Sequence, residues 1–200
     1  MHYISDMLYW IATGLLVPVV ILLIVLFIRA LLLLGSFFGQ YISIKKVRKE
    51  FRTVIQRMTS QNVEEWKTLL PNAKQSPFVD CIKEMVENHE SQAKVRHLVD
   101  NYEIMTQREL YPSNLLLKMG PMVGLMGTLI PMGPALVGLS SGDIASMAYN
   151  MQVAFATTVV GLASSAIGFI TKQFKQNWYA QDLADLEYLS DLIEECHEKK

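Results

Sequence analysis

Residues 118–172 read KMGPMVGLMGTLIPMGPALVGLSSGDIASMAYNMQVAFATTVVGLASSAIGFITK, and Asp143 is the one charge between the two terminal lysines. The stretches 119–142 and 144–171 are both uncharged. Each exceeds the roughly 20 residues that a helix needs to cross a hydrocarbon core. Ser140-Ser141-Gly142-Asp143 divides them as a turn would, so the segment reads as a membrane hairpin. Its apolar runs also hold Gly, Ser, Thr and Asn at helical spacing. A helix that only faces lipid has no use for those residues; one that packs closely or borders a polar path does.

A third apolar run lies near the N-terminus, from about Met7 to Ile28. It is too long for a signal peptide, and its positive charges follow it rather than precede it. It reads as an uncleaved spanning helix containing Pro18, which removes one backbone donor and favours a kink. Arg29, after the apolar core, reads as a side chain snorkelling to the inner interface. The other reading is a charge facing a central path.

The 200 residues are 51% apolar and 18% charged, with a net charge of −1. Nothing global argues for nucleic acid. The first six residues carry no Lys or Arg. Lys45, Lys46, Arg48, Lys49 and Arg52 follow the first span, Lys118 precedes the second, and Lys172 and Lys175 follow the third. The positive-inside rule then places the N-terminus outside and the C-terminus inside, which three crossings satisfy. The expected architecture is an all-α membrane protein of three transmembrane helices with long cytoplasmic helical extensions, multi-pass in the inner (cytoplasmic) membrane and in contact with its lipid. Its divisions are an external N-terminus (1–6), a first span and inner interface (7–39), a cytoplasmic helical region (40–114), a second span (115–139), an external turn (140–143), a third span (144–172) and a cytoplasmic helical tail (173–200).

Within the cytoplasmic region, Ile44, Val47, Phe51, Val54, Ile55 and Met58 recur at three- and four-residue intervals and predict that the first helix runs on. Pro71-Asn72 and Ser76-Pro77 bracket a turn. Phe78, Ile82, Met85, Val86, His89, Ala93 and Tyr102 predict a further helical stripe, and Leu183, Leu186, Leu189 and Ile193 another in the tail. Trp178 and Tyr179 suit an inner interface belt. His89 reads as a packed histidine, since no Cys or His partner stands at metal spacing. Cys81 and Cys196 read as reduced thiols. No metal, cofactor or catalytic group is expected, and the chain does not read as an enzyme. Gly138-Leu139-Ser140-Ser141-Gly142 matches G-x-S-x-G but lacks the strand-to-helix context of a nucleophile elbow; a turn capped by Ser141 or Asp143 explains it.

In the third span Asn150, Ala154, Thr157, Thr158, Gly161, Ser164, Ser165 and Gly168 form one small or polar face. In the second, Gly120, Gly124, Gly127, Thr128, Pro131, Ala135 and Gly138 keep the same rhythm. Close helix packing at Gly120, Gly124, Gly127, Gly161 and Gly168 is one reading of these faces. A polar seam along a water-accessible path or a partner helix, with Asn150 and Ser165 on it, is the other, and both can hold. Neither helix contains Asp, Glu, His, Lys or Arg, whereas a proton relay needs a titratable group in the membrane. If protons cross here, a second protein brings the carboxylate.

Gly124-Leu125-Met126-Gly127-Thr128 in the second span and Ala156-Thr157-Thr158-Val159-Val160-Gly161-Leu162 in the third resemble the MotA/TolQ/ExbB proton-channel family. The three-span plan is similar to TolQ and ExbB rather than to four-span MotA. The resemblance implies a homopentamer around a pore that holds two copies of a single-span ExbD/TolR/MotB-like partner. Each partner would carry a membrane Asp that exchanges protons or answers to sodium. It places the pore threonines at Thr128 and Thr158, with Thr157 beside the latter, and implies a stator-like subunit of an ion-driven motor. The alternative is a non-conducting helical scaffold.

Overall fold

The computed structural model describes residues 2–55 and 76–198, and every element among them is helical. The elements are α1 (His2–Ile55), α2 (Pro77–Glu87), α3 (Gln92–Ser140) and α4 (Ile144–Glu198). Three of them, α1, α3 and α4, contain stretches long and apolar enough to cross a membrane. The spans are parts of much longer helices: α3 passes through Pro112, Pro121, Pro131 and Pro134, and α1 through Pro18, without a break. Met58, Pro71 and Asn72 lie outside the described residues, as do the side chains of Ile44, Val47, Phe51, Val54 and Ile55.

Two compact units divide the chain, residues 1–36 with 112–172 and residues 37–111 with 173–200. In the first, Val19, Leu23, Leu26 and Ala30 form one stripe of α1, packed with Leu116 and Val123 of α3. Val160 and Ile167 of α4 close the same core. The other faces stay apolar and open: Leu129 is 72% exposed and Val159 67%. Such a surface suits a lipid environment, where apolar side chains need no cover.

The turn between α3 and α4 follows from Gly142. Its φ of +76° lies in the left-handed region that glycine tolerates. That conformation lets the Asp143 amide reach the Gly138 carbonyl at 2.8 Å and the Gly142 amide reach that of Leu139 at 3.2 Å, a Schellman end to α3. Asp143 then begins α4, its Oδ1 accepting the Ser146 amide at 3.0 Å. This is an N-cap, which satisfies one of the orphan donors of the first turn. Ser140 and Ser141 donate to carbonyls of the last turn of α3, so the G-x-S-x-G match is a helix end.

The second unit has its own core, in which Phe78, Ile82, Met85 and Val86 of α2 meet Val95, Val99 and Tyr102 of α3 and Leu186, Leu189 and Ile193 of α4. The stripe expected to run from Phe78 to Tyr102 belongs to two helices. Asn88 caps α2 onto the Glu84 carbonyl, and Ser91 opens α3. The chain reverses there, bringing Phe78 to Tyr102 (ring centroids 6.3 Å) and Cys81 to the Leu98 carbonyl. Ala93, expected on the stripe, is exposed, and His89 is half-buried with Nδ1 2.9 Å from the Val86 carbonyl. Between α3 and α4 the Tyr102 hydroxyl donates to the buried Asp182 carboxylate at 2.9 Å. Tyr179 donates to Glu109, which Lys175 approaches to 3.9 Å. Phe37 stacks on Trp178, with centroids 5.5 Å apart and planes 2° from parallel.

Candidate functional site: the seam between α3 and α4

The seam is built on absent side chains. A Cβ placed on Gly120 would stand 2.6 Å from the Gly161 carbonyl oxygen, and one on Gly161 would stand 2.7 Å from that of Gly120. At Gly124 the nearest atom is the Gly161 Cα at 3.4 Å. At Gly127 it is the Thr157 side chain at 2.7 Å, and at Gly168 the Ser113 oxygen and the Leu117 nitrogen, both at 2.8 Å. Backbone thus lies on backbone along several turns, the geometry that small residues permit.

The hydroxyls divide into two groups. Thr157 and Ser165 are buried between the helices. Thr157 donates to the Ala154 carbonyl at 2.8 Å. Ser165 donates across the seam to the Leu117 carbonyl at 3.0 Å. Leu117 lies four residues before Pro121, whose missing N–H leaves this carbonyl without its helical donor. Ser165 supplies that donor. Further along, the buried Thr171 donates to the Ile167 carbonyl and meets the Ser113 hydroxyl at 3.3 Å, while Lys172 donates to Asn114 at 3.1 Å. Sequence reading missed Ser113, Asn114 and Thr171. Thr171 follows Ser164 by seven residues and so continues its face; that was the available signal.

Thr128, Thr158 and Asn150 form the other group, each partly exposed. Thr128 donates to the Leu125 carbonyl at 2.8 Å, Thr158 to that of Ala154 at 3.2 Å and Asn150 to that of Ser146 at 2.9 Å. Their donors are satisfied locally, and oxygen lone pairs remain free to accept. Successive helical residues turn by about 100°. On α3, Leu116 and Val123 point to the three-helix core and Gly120, Gly124 and Gly127 to α4, which leaves Thr128 on the far margin of the seam from α1. On α4, Val160 and Ile167 point to that core and Thr158 falls beyond Gly161, on the same far margin. The Thr158 Cα is 3.7 Å from the position of a Cβ on Gly124. Next to Thr128, Pro131 and Pro134 deprive the Gly127 and Ile130 carbonyls of their own helical donors. Among the described residues no cluster of His, Cys, Asp and Glu is suited to a metal.

The two partly exposed threonines therefore share the open edge of a helix pair that glycine holds at backbone contact and whose apolar stretches, within 119–142 and 144–171, carry no acid. No curated protein and no solved structure matches the chain. The MotA/TolQ/ExbB proton channel family does match, over residues 52–187. That interval takes in most of the chain, including both helices of the seam, and the protein belongs to this family.

Proposed function

We propose that the chain is the ring-forming, stator-like subunit of an ion-driven motor in the inner membrane. Copies of it, five on the family's plan, stand N-terminus out and C-terminus in. The open edge of each α3/α4 seam turns toward the ring centre, and α1 lies outermost. Thr128 and Thr158 line the central path with Asn150, while Thr157 and Ser165 stand behind them within the helix pair. The ring encloses a partner of the ExbD/TolR/MotB kind, two copies of a single-span helix whose Asp takes up and releases the proton.

The observation that carries this reading is the shared placement of Thr128 and Thr158 on the margin away from α1. A hydroxyl whose proton is held by its own helix presents lone pairs, and lone pairs receive a protonated carboxyl or a hydrated proton. The driving force is sufficient for mechanical work, since one charge falling through 100 mV releases about 2.3 kcal/mol.

The test is Thr158→Val, nearly isosteric but without the hydroxyl, alongside Thr128→Val. Ion-driven function is lost in both while the purified oligomer keeps its mass. Unchanged activity sinks the proposal and favours the second reading, a non-conducting scaffold. One observation supports that alternative: the hydroxyls of Thr128, Thr157, Thr158 and Ser165 already donate to their own helix or to its neighbour.

A further inference from the structure

Arg29 is the only charged residue between Met7 and Gly39. Its side chain is exposed, and among the described residues no hydrogen bond or ion pair holds it. A lone cation on an apolar span is costly unless it reaches water or an anion. The helix supplies a ruler for where it stands. Tyr9 and Trp10, 48% and 76% exposed, are aromatic residues of the kind that settle at a membrane–water interface. From Tyr9 to Arg29 is about 20 residues, or about 30 Å of helix, and the hydrocarbon core is about 30 Å thick. With the aromatic pair at one interface, the guanidinium stands among the lipid phosphates at the other.

Its surroundings are those of a lipid rather than of a soluble anion. Leu22, Val25, Arg29 and Leu32 follow one another at three- and four-residue steps, so they share one flank of α1. That flank stands beside, and apart from, the stripe of Val19, Leu23, Leu26 and Ala30 that packs into the core. Leu22 and Val25 are 43% and 45% exposed, on the side of Arg29 that points to mid-bilayer. Acyl chains lying along Leu22 and Val25 bring a phosphodiester to the guanidinium, whose planar fork matches phosphate oxygens in pairs.

We infer that the Leu22–Val25–Arg29 flank of α1 is a binding site for an anionic phospholipid, with Arg29 holding the headgroup phosphate. The inference does not depend on ion conduction.

Titrating the delipidated full-length protein with phosphatidylglycerol or phosphatidylcholine, read by native mass spectrometry, tests it. The wild type takes phosphatidylglycerol in preference to phosphatidylcholine. Arg29→Met, which makes the span more apolar and does not threaten insertion, lowers the affinity for the first phosphatidylglycerol about fivefold, the usual effect of one interfacial basic residue. Arg29→Lys, which keeps the charge, retains most of that affinity. Excess inorganic phosphate does not displace the lipid. Equal binding of the two lipids by the wild type, an unchanged affinity in Arg29→Met, or displacement by free phosphate would each overturn the assignment.

Discussion

The Gly161 carbonyl oxygen lies 2.6 Å from the point where a Cβ on Gly120 would stand. Any side chain at Gly120 therefore has to push one helix backbone away from the other. Gly120→Ala is expected to cost about 1–3 kcal/mol, as overpacking does. Gly124→Ala, whose Cβ would meet Gly161 at 3.4 Å, costs less. Gly35→Ala, with nothing within 4 Å, is close to neutral. Unfolding midpoints in mixed detergent would rank the three; a Gly120→Ala midpoint equal to that of Gly35→Ala contradicts the packing argument.

Ser165 and Pro121 form a linked pair. Removing the hydroxyl in Ser165→Ala leaves the Leu117 carbonyl without a donor and costs about 1–3 kcal/mol. Pro121→Ala restores an N–H at position 121, so the serine is no longer needed. A double-mutant cycle is expected to show strong coupling, with Ser165→Ala nearly silent in the Pro121→Ala background. Additive effects would mean that the serine acts elsewhere.

Tyr102 donates to the buried Asp182 carboxylate across the core of the second unit. Tyr102→Phe preserves the ring and deletes the donor, at a cost of about 1–3 kcal/mol. Asp182→Asn in the same background is expected to recover part of that loss, because a neutral amide is less costly to bury than an under-bonded carboxylate. Thermal unfolding measured by circular dichroism provides the comparison; no recovery in the double variant counts against a carboxylate penalty.

Cys81 is held in the apolar core of the same unit. Burial, helped by nearby Glu84, pushes its thiol up to about 12 from the ordinary 9.0. Only about one thiol in 10⁴ is ionised at pH 8, so Cys81 resists alkylation in the fold and reacts once the chain is unfolded, as mass mapping of labelled peptides would show. The sign of the linkage follows. The folded state holds the thiol proton more tightly than the unfolded chain, so this contribution to stability is complete below pH 9 and is lost as pH rises toward 12. Rapid labelling of Cys81 at pH 8 under native conditions would contradict the burial.

Glu194 behaves in the opposite sense. The Gln92 amide and the Arg96 guanidinium, which it meets at 3.0 Å, hold its carboxyl below the ordinary 4.5. Its stabilising effect is present above pH 4.5 and fades as pH falls through the depressed value. Because the pair is solvent-exposed, the effect is small and salt-sensitive. Glu194→Gln is expected to flatten the acid limb of the stability curve at low ionic strength and to change little in high salt.

Much of this architecture was legible in the chain. Charge segregation marked three apolar runs, because about 20 uncharged residues satisfy a bilayer whatever surrounds them. The glycine rhythm from Gly120 to Gly168 marked a close-packing face, and the residues around Gly142 marked a turn with Asp143 as a cap. What periodicity could not resolve was the break at Asn88–Ser91. Apolar residues on both sides of it kept a helical rhythm, and the reversal shows only in the packing across it, of Phe78 on Tyr102 and of Cys81 on the Leu98 carbonyl.

By itself the sequence determined the spans, the small-residue faces and the absence of any acid within them, since composition and spacing act locally along one helix. Tertiary structure decided which hydroxyl does what. Thr157 and Thr158 are neighbours about 100° apart on one helix, and a helix's own period names no neighbour. The approach of α3 at Gly127 buries the first, and the position of α1 leaves the second on the open margin. In the same way Ser165 became the donor for the Leu117 carbonyl only when folding brought a proline's missing N–H on one helix opposite a hydroxyl on the other.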